Sequence, residues 1–193
     1  MEKKYISTDI ESSGSAPGIY NMLSIGACVA YDKNKQFYRE LKPITKRFDL
    51  EAMQVGCLGL KCLYPMKNQE EYDPTKENFN PKKVLELLQD KGEDPKRVIQ
   101  DFGDWVREVS KDYEPILTTD VQPFDGSFIM YYFAKYLPRN KNPFGHKGIN
   151  IDLLYKGITK NIETSLKGLR IIDNRNPAHN ALEDAIYQAK QAE

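Results

Sequence analysis

A chain of 193 residues with 40% hydrophobic content can bury one sizeable core, so residues 1–193 are read as a single domain. Its 28 basic residues balance 28 acidic ones, which excludes attraction to nucleic acid through a global positive field and leaves a local patch or metal ions to hold any polyanion. No run approaches the roughly 18 apolar residues that span a membrane, and MEKKYISTDIESSG at the start lacks the apolar stretch of a signal peptide.

Lys4 to Ile10 reads as a first strand and Asn21 to Tyr31 (NMLSIGACVAY) as a second. Phe37 to Leu41 resumes after the polar cluster Asp32-Lys33-Asn34-Lys35, which predicts a hairpin with its turn in that cluster. From Pro43 to about Asp94 the pattern is irregular and broken by prolines. Pro81 opens a helix, PKKVLELLQDK, with Gly92 just past its end. Pro95 opens another, with Val98, Phe102, Trp105, Val106 and Val109 at helical spacing, so Trp105 is read as core. Pro115 to Thr118 is a short strand. Phe128 to Tyr136 (FIMYYFAKY) is a buried helix starting near Asp125, and Ile149 to Leu154 is a strand passing into a helix. Ser165 to Leu169 is a helical turn, and Pro177 to Glu193 is a last helix with Asn176 as its N-cap and Pro177 at its first position. Strands and helices alternating after a hairpin predict an α/β fold with a mixed central sheet. The three cysteines, Cys28, Cys57 and Cys62, show neither disulfide nor zinc spacing, and read as small hydrophobes in a reducing, cytoplasmic compartment.

The chemistry-bearing candidates are acidic. On a strand, Asp9 and Glu11 point to one face. Two carboxylates side by side repel, and a hard divalent cation removes the repulsion. Asp-x-Glu recurs at Asp49–Glu51 and Asp112–Glu114, in or beside helical segments, where it is read as solvated charge. The first pair differs in ending a strand and being followed by Ser12, Ser13 and Gly14, small residues that let another molecule approach the backbone. Asp125 follows Phe124 at the opening of a helix after a strand. It is either an ordinary N-cap or a carboxylate at the end of the sheet. His179, one of two histidines, precedes Asp184 by five residues. That step is not one helical face, but a histidine lying before the first full turn can swing its ring toward Asp184. The plain alternative is a polar helix start complementing the dipole. His146, in the loop NPFGHKG, reads as solvated, with Arg139, Lys141 and Lys147 either a solubilising loop or a local basic patch.

Asp9-x-Glu11, Phe124-Asp125 and His179-Asn-Ala-Leu-Glu-Asp184-Ala together resemble the DEDDh 3′–5′ exonucleases in order, separation and context. INIDLLYKGI and SLKGLRI before the third motif are similar to that family as well, and residues from about Arg47 to Lys96 match least. The resemblance implies a ribonuclease H-like fold, with Asp9, Glu11, Asp125 and Asp184 holding two Mg²⁺ or Mn²⁺ ions. It implies His179 as the general base that deprotonates the attacking water, a task suited to a group that changes charge near neutral pH. The implied substrate is single-stranded DNA or short RNA with a free 3′ end, contacted by Ile10, Ser12, Ser13 and Gly14, with Phe128 or Tyr132 stacking on bases. Some members are homodimers, and this chain shows no dimerising surface in its sequence. Two departures stand out. The family commonly carries Thr-Thr-Gly where this chain has Ser12-Ser13-Gly14, and His-Asn-x-x-Phe-Asp where it has Asp120 and Val121 in the first two places. Asp120 adds an acid near the cleft, able to disfavour a phosphate or to bind a cation. A non-catalytic ribonuclease H-like module that binds nucleic acid, and an interaction protein with purely structural carboxylates, remain open alternatives at this point.

Overall fold

The computed structural model describes residues 1–138, 141–176 and 178–193. Five strands form one mixed sheet: β1 (Lys3–Ser12), β2 (Met22–Val29), β3 (Asp32–Glu40), β4 (Glu114–Thr119) and β5 (Gly148–Asn150). Their order is β3-β2-β1-β4-β5. The first three make an antiparallel meander, and β4 and β5 add in parallel beside β1. This is the mixed sheet flanked by helices that the alternation of elements predicts.

The hairpin is tighter than expected. Its turn is Ala30-Tyr31, with Val29 opposite Asp32 and Tyr31 at φ 67°. Asp32-Lys33-Asn34-Lys35 therefore lies within β3, not in the turn. β3 is an edge strand with solvent along one side, where polar residues cost nothing.

The helices are α1 (Leu50–Gly56), α2 (Pro81–Lys91), α3 (Pro95–Val109), α4 (Gln122–Tyr136), α5 (Ile151–Thr159) and α6 (Ala181–Ala192). Asn80 caps α2 and Asp94 caps α3 through side-chain oxygens, each followed by proline in the first turn. The irregular middle holds α1 and two short 3₁₀ turns, Lys61–Met66 and Glu70–Tyr72. Trp105 is half-buried against Phe37 and Phe102, at the rim of the core. Helix α4 begins three residues before Asp125, with Val121 in the cap position.

Helix α6 starts later than expected. Its cap is Asn180, whose side-chain oxygen accepts from the backbone of Leu182 and Glu183 while its amide donates to the Gly59 carbonyl at 2.7 Å. The expected cap, Asn176, lies four residues upstream in the preceding loop, and Pro177 falls outside the described residues. Asn180 wins because only it can cap the helix and dock on Gly59 together.

One core packs α3 and α4 on one face of the sheet, around Ile6, Ile10, Ile25, Phe102, Phe128 and Tyr132. A second gathers α1, α2 and the 3₁₀ turns around Leu23, Met53 and Leu88. Helix α6 lies on the sheet's other face, where Ser7 donates to the Ala185 carbonyl at 2.7 Å. The residues between them are small. A Cβ at Gly26 would collide with the Ala181 carbonyl group and the Leu182 nitrogen, so Gly26, with the small Cys28 on the same face, lets the helix sit directly on the strand. Among the described residues no helix is long and apolar enough to cross a membrane. Cys28, Cys57 and Cys62 are free thiols, the first two buried.

Candidate active site

Strand alternation sends Ile6 and Ile10 into the α3–α4 core, and Ser7, Asp9 and Glu11 to the α6 face. Asp9 and Glu11 thus stand side by side at the end of β1. Helix α4 carries Asp125 to the same place: one of its carboxylate oxygens accepts from the Ile10 backbone nitrogen at 3.3 Å. It sits inside the first turn and makes no N-cap. Helix α6 brings Asp184 from the opposite side.

His179 lies two residues before α6 in the left-handed region, at φ 59°. A non-glycine residue held there is strained, and such strain persists only where surrounding structure fixes it. The surrounding structure is Gly59, whose Cα leaves no space for a Cβ beside the His179 carbonyl and Asn180. Standing outside the helix, the imidazole escapes the helical phase that would separate it from Asp184. Ligand atoms of Glu11, His179 and Asp184 all lie within 4.8 Å of one another, and so do those of Asp9, Asp120 and Asp125.

These acids line a cleft of about 1020 Å³ together with Ile10, Ser12, Phe124, Arg175, Tyr187 and Gln188. Their mutual repulsion is visible in their protonation. Burial, then the charges of Asp125, Glu11, Asp184 and Asp120, holds the Asp9 carboxyl well above the usual range. Burial, then Asp184 and Asp125, does the same for Glu11. Asp125 is pushed up to about 8 by burial and by Asp120, against the pull of the Ile10 N–H. Asp184 is raised by burial and held back by Arg175. A polyanion meets only repulsion here unless cations intervene, and carboxylate oxygens so close together suit hard divalent ions. Among the described residues, the cation paired with them is Arg175. It donates to Asp184 at 2.7 Å, is forked onto Asp173, and lies over the Tyr187 ring at 4.3 Å.

Several expected substrate contacts are corrected. Phe128 and Tyr132 are fully buried, and the Tyr132 hydroxyl accepts from the Met22 backbone nitrogen, so neither can stack on a base. Half-buried aromatics on the cleft wall are Phe124, packed edge-on against Phe128, and Tyr187. Ser13 is buried; its hydroxyl donates to the Arg47 carbonyl and accepts from Asn21. Gly14 makes room for the Tyr20 ring of the same chain, which would strike any Cβ there. Ile10 and Ser12 do line the cleft. His146 is exposed, and Lys147 is paired with Glu114; Arg139, the third member of that basic group, lies outside the described residues. Sequence reasoning missed Arg175, Tyr187 and Gln188. Arg175 stands beside an aspartate in the loop before the His motif, and Gln188 follows Asp184 by one helical turn, a spacing that puts both on one face.

No family model matches the chain. Among curated proteins it is 35% identical over 191 residues to the 3′–5′ DNA exonuclease Cap18 of Escherichia coli, covering 96% of this chain and 88% of that one. Among solved structures it is similar to the nuclease domain of 3′hExo, a DEDDh family member bound to rAMP, with a TM-score of 0.66 at 15% identity over 98% of this chain and 89% of the other. It is also similar to Escherichia coli exonuclease I in complex with a dT13 oligonucleotide, with a TM-score of 0.65 at 11% identity over 99% of this chain and 40% of the other. These two share the ribonuclease H-like fold with it.

Proposed function

Since this chain belongs to the DEDDh 3′–5′ exonucleases and is a hydrolase of nucleic-acid phosphodiester bonds, we propose that Asp9, Glu11, Asp125 and Asp184 hold two Mg²⁺ or Mn²⁺ ions and that His179 is the general base. Residues 1–193 act as one exonuclease domain. The substrate is single-stranded DNA with a free 3′ end; the relative at 35% identity is named a DNA exonuclease. The observation that carries the reading is the pair of ligand groups, Glu11–His179–Asp184 and Asp9–Asp120–Asp125, each within 4.8 Å.

The donor set fits divalent cations: clustered carboxylates, held above their usual range by burial and by one another's charge, with an arginine already drawn onto one of them. Such ions neutralise phosphoryl oxygens and make a nearby water more acidic when bound. The rest falls to the chain. His179 is exposed on the cleft, so its imidazole can accept the proton of the attacking water and release it to bulk solvent. The Ile10 N–H and the burial of Asp125 fix that carboxylate in place. Phe124 offers apolar surface to the terminal base and sugar.

The test is incubation of end-labelled oligonucleotides with the pure protein and Mn²⁺. Stepwise shortening from the 3′ end is expected, abolished in Asp184→Asn and reduced on the order of 10²–10⁴-fold in His179→Ala. Binding without shortening at any Mn²⁺ concentration would falsify the enzymatic reading, and full activity of His179→Ala would remove the general base.

A further inference from the structure

Two residues outside the proposed ligand set reach into it. Asp120 stands between β4 and α4, and its carboxylate groups with those of Asp9 and Asp125 within 4.8 Å. Gln188 lies on α6, one turn past Asp184, and is 3% exposed. Its amide nitrogen donates to Asp9 at 2.8 Å and to Asp120 at 3.3 Å. Its amide oxygen is buried with no hydrogen-bond partner among the described residues.

The orientation of this amide follows from charge. Toward two ionised carboxylates its NH₂ is the side that faces them, and the oxygen on the other side is orphaned, an unfavourable state for a buried acceptor. Turning the amide over would aim a dipole's negative end at two carboxylates. Positive charge between them reverses that preference, and a glutamine carbonyl is an ordinary oxygen ligand for a hard divalent cation. The amide therefore has two arrangements, and a bound ion between the carboxylates favours the second.

We propose that Asp120 and Gln188 complete a divalent-cation position with Asp9 and Asp125, adding a carboxylate and an amide oxygen to the four-carboxylate set. This rests on the two-cation reading of the site. The position is all-oxygen and selects Mg²⁺, Mn²⁺ or Ca²⁺ over softer metals.

Equilibrium binding of Mn²⁺ to the full chain, read from the free-ion electron paramagnetic resonance signal with no nucleic acid present, tests it. The unmodified protein is expected to bind two ions. Asp120→Asn should weaken one of them on the order of 10–100-fold and spare the other. Gln188→Leu should weaken the same ion, and Gln188→Glu should retain it. The thermal midpoint of Asp120→Asn in EDTA should equal or exceed that of the unmodified protein, which separates lost ligation from lost folding. Unchanged binding of both ions in Asp120→Asn and Gln188→Leu overturns the proposal and leaves the two-cation reading standing. An unmodified protein that binds no Mn²⁺ overturns both.

Discussion

Arg175 and Phe124 are the residues at which the cleft's chemistry is most exposed to test. The Arg175 guanidinium donates to Asp184, a carboxylate that the proposed function assigns to a metal ion, so two cations compete for one ligand. Arg175→Gln is expected to lower the Mn²⁺ concentration needed for half-maximal thermal stabilisation several-fold, since a cation bound to the metal-free form reduces apparent affinity; an increase would mean that the arginine supports the site instead. The aromatics divide by burial. Phe128, fully buried in the α3–α4 core, should cost about 3–5 kcal/mol of stability on truncation to alanine. Phe124, on the cleft wall, should cost little stability on the same truncation and weaken single-stranded DNA binding by about 1–3 kcal/mol. Fluorescence anisotropy in a His179→Ala background reads the second effect, and equal binding by Phe124→Ala and its parent would reject base stacking there.

At the scale of elements, the placement of α6 on the sheet decides whether His179 and Asp184 arrive together. The Asn180 amide docks on Gly59, and no Cβ fits at Gly59 beside the His179 carbonyl. Gly59→Ala changes no proposed ligand, yet it must displace the His179–Asn180 backbone. It is expected to reduce turnover on the order of 10²-fold, because about 1 Å of misplacement costs that much, while the melting midpoint moves by only a few degrees. Activity at the parental level would show that the strained backbone at His179 does not depend on Gly59. The α4 start serves the same end by a different route: with Asp125 inside the first turn and bonded to the Ile10 nitrogen, helix and strand are locked at the point where their acids meet.

For the molecule as a whole, the crowded carboxylates are a liability that metal ions relieve. An acid whose folded pKa lies above its unfolded value, ordinarily about 4, holds its proton longer when folded. Between that value and about 8 for Asp125 the folded chain binds more protons than the unfolded chain, so metal-free stability falls as pH rises. Asp9 and Glu11 are shifted in the same direction. The carboxyls lowered by their partners, such as Asp73 and Asp90, are exposed and screened. Melting in EDTA should therefore decline from pH 5 to 8, and excess Mg²⁺ or Mn²⁺ should add a stabilisation that grows with pH, each kcal/mol appearing as about 2–4 °C. A metal-induced shift that is flat or shrinks toward pH 8 would contradict the cation assignment.

The sequence by itself determined what local periodicity can determine. Strand alternation put Asp9 and Glu11 on one face, prolines and caps marked α2 and α3, and the three short motifs pointed to the exonuclease family. It misplaced the hairpin turn and the start of α6 because both rest on partners outside the segment: the open edge at β3, and Gly59 for Asn180. The tertiary structure alone decided which neighbours of the motifs face the cleft. It turned Phe124 to the wall and Phe128 to the core, closed Tyr20 over Gly14, and joined Gln188 to Asp9 across 179 positions of chain. Period and propensity follow from each residue's own backbone, whereas convergence on a site depends on the packing of whole elements. No short stretch contains that information.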